Sequence, residues 1–151
     1  MLARLIYVSE AAEAMTPADV DAILKTARQR NKLRDITGML VFDRRAFLQV
    51  IEGDAQHLTD LYGRIAQDPR HRRLRLLQFG ALAERQFGDW SMGFAGSGGT
   101  SRRVLMRYTA SSAFAPYELD AAAALALLVA LARTESHAPA AEPELAAAGP
   151  G

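Results

Sequence analysis

Gln49 interrupts the apolar run FLQVI, Phe47 to Ile51. Its amide carries two donors and an acceptor, and burying them unpaired costs about 2–7 kcal/mol depending on reference state. Tyr7 and Ser9, in the apolar stretch ARLIYVS, are the polar groups expected on the neighbouring strand. A tyrosine hydroxyl satisfies only part of the amide. Other polar residues stand at the ends of apolar elements: Arg30 and Asn31, Arg70 and His71, and the WSM triplet Trp90, Ser91 and Met92. Brought together, they would line a gap that takes a flat ligand with a polar edge. Ile23, Leu24 and Ile65 would be its apolar walls. Asn31 would donate a hydrogen bond, and Arg30, Arg70 or His71 would face a phosphate. Each residue also has a plain structural role open to it. A buried Tyr can bond a carbonyl, an Asn can cap a helix, a His beside Arg can sit in a solvated loop, and Met can fill a core. Gln49 is the residue these roles explain least.

The elements that must position these groups follow from periodicity. Residues 3–9 read as a strand. Thr16 is an N-cap, Pro17 suits the first helical position, and Asp19 and Asp21 fall in the positive first turn. Val20, Ile23, Leu24 and Ala27 share a face of a helix expected to end near Asn31. Residues 36–42 and 46–53 form a hairpin. Gly53–Asp54 starts a second helix with Leu58, Leu61, Tyr62 and Ile65 on one face, and Asp68–Pro69 stops it. Residues 72–82 and 90–96 are two further strands. The order β-α-β-β-α-β plus a fifth strand is the ferredoxin-like α+β pattern. The first and third strands are expected as parallel neighbours at the sheet centre, with two helices on one sheet face. Both faces of these strands are apolar, so the other face needs cover as well. Residues 101–134 are the candidate: RRVLMRY, then a helix opened by Pro116 that is apolar almost all round. The expected division is 1–96 as one domain, 97–134 as a C-terminal helical extension and 135–151 as a disordered Ala/Pro/Glu-rich tail.

Bulk properties narrow the class. The chain has 151 residues, 50% hydrophobic and 23% charged, with net charge +1. That balance argues against nucleic acid as a direct partner. There is no cysteine, so disulfides and thiolate metal sites are excluded, and no metal site is expected. Arg4 and Glu10 break up any signal-peptide pattern. The longest apolar run, Ala121 to Ala132, falls short of the ~20 residues of a membrane span. A cytoplasmic protein without membrane attachment is expected.

Five segments, LIYVS, RNKLRDITGMLVF, FLQVIEG, DPRHRRL and FGDWSMGF, occur in an order and spacing that resemble the BLUF domain, the blue-light sensor that uses flavin. The resemblance covers about residues 2–95. It implies non-covalently bound FAD, with FMN or riboflavin as possible substitutes. Tyr7 matches the photoactive tyrosine that gives an electron and a proton to excited flavin. Gln49 matches the glutamine between that tyrosine and the flavin N5/O4 edge, and Asn31 the asparagine on the O4/N3 side. Arg30 and His71 match positions of ring or phosphate contact. Trp90 and Met92 match a pair on the last strand, one of which packs near the glutamine, and Ser9 matches a serine near that strand. Ala27 stands where some relatives have a polar residue.

The resemblance further implies a sensor, not an enzyme, of the short single-domain type. Proteins of that type often self-associate and act through separate proteins; because only two helices and a tail follow residue 96 here, the expected route runs through residues 101–134 to a separate, unidentified protein. Two other functions share the fold. An RNA-binding RRM would use the strand RAFLQVIEG, but its second stacking aromatic and its glycines are missing. An acylphosphatase-like enzyme needs a phosphate loop after the first strand, where SEAAEAMTP has no glycine.

Overall fold

The computed structural model describes residues 1–43, 45–96, 99–110 and 113–135. Five strands, β1 (Leu2–Ala11), β2 (Thr37–Asp43), β3 (Ala46–Asp54), β4 (His71–Ala81) and β5 (Gly93–Gly96), form one mixed sheet of order β4-β1-β3-β2-β5. Helices α1 (Pro17–Leu33) and α2 (Ala55–Gln67) connect them, and α3 (Gly99–Tyr108) and α4 (Ala121–Glu135) follow. This is the expected α+β ferredoxin-like fold. One strand relation is corrected. β1 and β3 are central neighbours but antiparallel, with Tyr7 opposite Gln49. The β1-α1-β2 crossover leaves a gap between two strands of the same direction, and the hairpin turns β3 back into it. β5 pairs parallel to β2 at the edge.

Local chemistry sets the ends. Thr16 and Asp19 form a reciprocal capping box on α1. α1 runs on past Asn31 to Leu33 and turns off through Asp35, at φ 53°. Pro116 opens only a single 3₁₀ turn, Pro116–Glu118. α4 starts at Ala121, where Asp120 Oδ1 accepts from Ala123 N at 2.8 Å. Gly38 is required in β2, because a Cβ there would lie 2.1 Å from the Val50 carbonyl oxygen.

Strand alternation sends Leu5, Tyr7, Phe47 and Ile51 to the face covered by α1 and α2, with Val20, Leu24 and Leu58. Ile6, Val8, Leu48 and Val50 face the other way, onto Leu105, Ala124, Leu127, Leu128 and Leu131 of α3 and α4. The expected cover over the second face is therefore present, and the sheet surface an RRM would use for base stacking is closed. Leu127, Leu128 and Leu131 are each fully buried, worth about 1.5–3 kcal/mol apiece. A charged pair is buried on this face too. Glu52 Oε2 takes Arg4 Nε at 3.0 Å, while its Oε1 accepts from Gln86 N at 2.9 Å and Phe87 N at 2.8 Å. The carboxylate thus pins the segment after β4 to the sheet. No helix among the described residues is long and apolar enough to cross a membrane. Of the expected tail, all but Glu135 lies outside the described residues.

Candidate functional site

A cleft of about 800 Å³, including space open to solvent, lies between α1 and α2 above the sheet. The helical period of α1 places Ile23, Ala27, Arg30 and Asn31 along one wall. Leu61, Arg64 and Ile65 of α2 form the other wall, and Tyr7, Leu40, Phe47, Gln49 and Met92 the floor. Asp68, Arg70 and His71 complete the lining.

The floor carries a continuous polar chain. Tyr7 Oη donates to Gln49 Oε1, and Gln49 Nε2 donates to Met92 Sδ at 3.2 Å. Facing positions on antiparallel strands are what bring Tyr7 and Gln49 together. The Tyr7 ring stands edge-on to Tyr62 and His71, with centroids at 5.9 and 6.5 Å. Burial, then the nearby Tyr62 and Asp68, push its phenol pKa well above the ordinary value, so Tyr7 is a neutral donor. His71 Nδ1 and the Ser9 hydroxyl share a hydrogen bond at 2.8 Å, and burial holds the His71 pKa below the usual imidazole value. Arg70 chelates the Asp68 carboxylate, with Nε 3.0 Å from each oxygen. That pairing lowers the Asp68 carboxyl. Arg30 and Arg64 have no ion-pair partner among the described residues.

Met92 belongs to a segment held at three successive carbonyls. Trp90 O accepts from Gly38 N at 3.1 Å, Ser91 O from Asn31 Nδ2 at 2.9 Å, and Met92 O from Arg28 Nε at 2.8 Å. Trp90, Ser91 and Met92 are therefore not on the last strand, as the sequence suggests, but in an irregular lead-in to it. The two side chains diverge: Met92 is fully buried on the α1/α2 side, while Trp90 packs against the core under α3 and α4.

Of the residues expected to line the gap, Tyr7, Gln49, Asn31, Arg30, Ile23, Ile65, Arg70, His71 and Met92 meet in the cleft. Leu24 does not: one helical step from Ile23 turns it down onto the sheet, where it is 1% exposed. Ser9 sits behind the lining and reaches it through His71. Sequence reasoning missed Arg28, Arg64, Asp68 and the floor residues Leu40 and Phe47. Arg28 had a readable signal. It continues the buried stripe Val20, Leu24, Arg28, Asn31, and a charge on a buried stripe needs a specific partner. Among the described residues no cluster suited to a metal ion is present.

The BLUF family model, sensors of blue-light using FAD, matches residues 2–93. Over 92 residues the chain is 37% identical to photoactivated adenylate cyclase subunit beta of Euglena gracilis, covering 60% of this chain and 11% of that protein. It is 33% identical to the blue light- and temperature-regulated antirepressor BluF of Escherichia coli K12, over 61% of this chain and 23% of that one. The match thus spans only a small part of these relatives. Among solved structures, BlsA in its photo-activated state superposes with a TM-score of 0.78 at 27% identity, covering 87% of this chain and 95% of that one. BlrB in its dark state gives 0.71 at 29%, covering 88% and 96%.

Proposed function

The chain belongs to the BLUF family, and we propose that it senses blue light through a flavin held non-covalently in the α1/α2 cleft, with Tyr7, Gln49 and Met92 as the switch. The donor set suits such a ligand. Ile23, Ile65 and Leu61 offer apolar walls for a ring, Gln49 and Asn31 amides for its polar edge, and Arg30, Arg64 and Arg70 cations for phosphate. When bound, flavin supplies light absorption and one-electron chemistry.

The observation that carries the reading is the chain from Tyr7 through Gln49 to Met92. Tyr7 is held neutral, with its proton already directed at Gln49 Oε1. It can give up an electron while that proton leaves along the hydrogen bond. Gln49 can present either end of its amide to the same neighbour by turning. A turned amide aims Oε1 at Met92 Sδ, and a thioether sulfur accepts but does not donate. Turning Gln49 therefore breaks the Met92 contact, leaving that side chain held only by packing. The 90–92 segment leads into β5, and α4 packs against β5 and the rest of the sheet. We infer that the change passes this way to α3 and α4, and from them to a second copy or a separate downstream protein.

The test is absorption spectroscopy on the purified chain incubated with flavin. A yellow protein whose spectrum shifts red under blue light and returns in the dark is expected. A protein that retains no flavin, or whose spectrum does not respond, overturns the proposal. The relay is tested by hydrogen exchange on the full chain in light and dark, since removing residues 101–134 would uncover the core. Unchanged exchange throughout α3 and α4 would refute it.

A further inference from the structure

β4 is an edge strand, paired only with β1 among the described residues. Natural sheets protect such edges with charged side chains and bulges. The first half of β4 is protected in this way. It carries Arg72, Arg73 and Arg75, its register against β1 shifts between Arg72 and Arg75, and Arg73 sits at φ 54°. The protection then stops: residues 76–83, LLQFGALA, hold no charge.

That second half is apolar and open. Leu74 and Leu77 pack into the cores on the two sides of the sheet, but Leu76 and Phe79 stay 46% and 43% exposed. In register they lie opposite Tyr7 and Leu5, so both stand on the α1/α2 face at the rim. Leu82 N donates to Leu2 O at 2.9 Å. Alternation from there turns the N–H and C=O of Phe79 and Ala81 outward, away from β1. Such an edge is a template for one more strand.

Charge selects the occupant. A strand meets its own copy antiparallel across a two-fold axis. Centred on Phe79, that pairing sets Arg75 of one copy opposite Ala83 of the other and next to its Glu84. Glu84 is exposed and has no ion-pair partner among the described residues. Arg72 and Arg73 are already held by Glu10, so the strand does not call for an acidic peptide. The pairing also keeps Leu76 and Phe79 of both copies on one face, where they cover each other. We propose that two copies of this chain join edge to edge through residues 76–81 of β4, as one continuous antiparallel extension of the sheet. This surface is independent of what the α1/α2 cleft binds.

The test is sedimentation velocity of the full chain over a range of concentrations. A dimer with a dissociation constant of about 10 μM is expected. Phe79→Lys puts a charge on the bare edge and should weaken the dimer by at least about tenfold. Leu76→Lys should do the same, with the far-UV spectrum of each variant matching the parent. Arg75→Glu and Glu84→Arg should each weaken the dimer about fivefold, and together restore it. A chain that stays monomeric at about 1 mM overturns the proposal and leaves the edge to a strand of another protein. So does a dimer unchanged by Phe79→Lys and Leu76→Lys, since another face of the chain then holds it. Charge reversals whose losses add in the double variant rule out the antiparallel pairing.

Discussion

Removing one partner of the Tyr7–Gln49 bond should destabilise the protein more than removing both. In Gln49→Leu the Tyr7 hydroxyl, on a side chain 2% exposed, loses its acceptor. A stranded buried hydroxyl costs about 1–3 kcal/mol, partly offset by the apolar Leu. In Tyr7→Phe the stranded group is Gln49 Oε1. It borders the open cleft, where water can replace the phenol, so the cost falls near ~1 kcal/mol. The double variant has neither hydroxyl nor amide to satisfy. Apolar replacement of both partners is close to neutral, so its loss should be smaller than the sum of the singles by about 1–2 kcal/mol. Urea unfolding of the four flavin-free proteins reads this directly, as midpoint shifts at constant slope. Losses that add to within about 0.5 kcal/mol would mean that the two side chains do not share the bond, and the switch would lose its first link.

Three further outcomes are expected. Glu52→Gln should cost about 3 kcal/mol, the low end for breaking a buried pair, because Arg4 loses its counter-charge while the shape is kept. A midpoint shift under a third of that would show the carboxylate is not what pins the Gln86–Phe87 segment. Arg28→Met removes the donor to Met92 O and should speed hydrogen exchange at Gly93–Gly96 selectively; unchanged protection there would remove Arg28 from the clamp. His71 gives a pH signature. Burial first of all, against Asp68 and with Arg70, holds its folded pKa below the ordinary 6.5. The unfolded chain then takes the proton more readily, and stability falls as pH drops through roughly 6.5. His71→Asn should flatten that decline, and an unaltered profile would contradict the assignment.

The core of the site was legible because Gln49 is polar where a strand should be apolar, and because the element order puts Tyr7 on the adjacent strand. Strand direction was not legible: alternation has the same period whichever way a strand runs. Trp90 and Met92, two apart, would share a face in a regular strand. Capture of the three carbonyls by Gly38, Asn31 and Arg28 breaks that regularity and sends them to opposite faces. Leu24 and Ile23 are adjacent, but one helical step separates lining from core. Nothing in the sequence marks Arg4 and Glu52 as a pair; the register β1–β3 sets them side by side on the covered face. Arg64 stands at helical spacing from Leu61 and next to Ile65, but an arginine there reads as a solvated charge, and Asp68 reads only as the stop of α2.

The central claim is that Tyr7 starts the switch, and the light-minus-dark absorption spectrum of Tyr7→Phe tests it most directly. The variant should still bind flavin, since the cleft walls are untouched, and should show no reversible red shift under blue light. A flavin-loaded Tyr7→Phe that shifts and recovers like the parent chain would contradict the account.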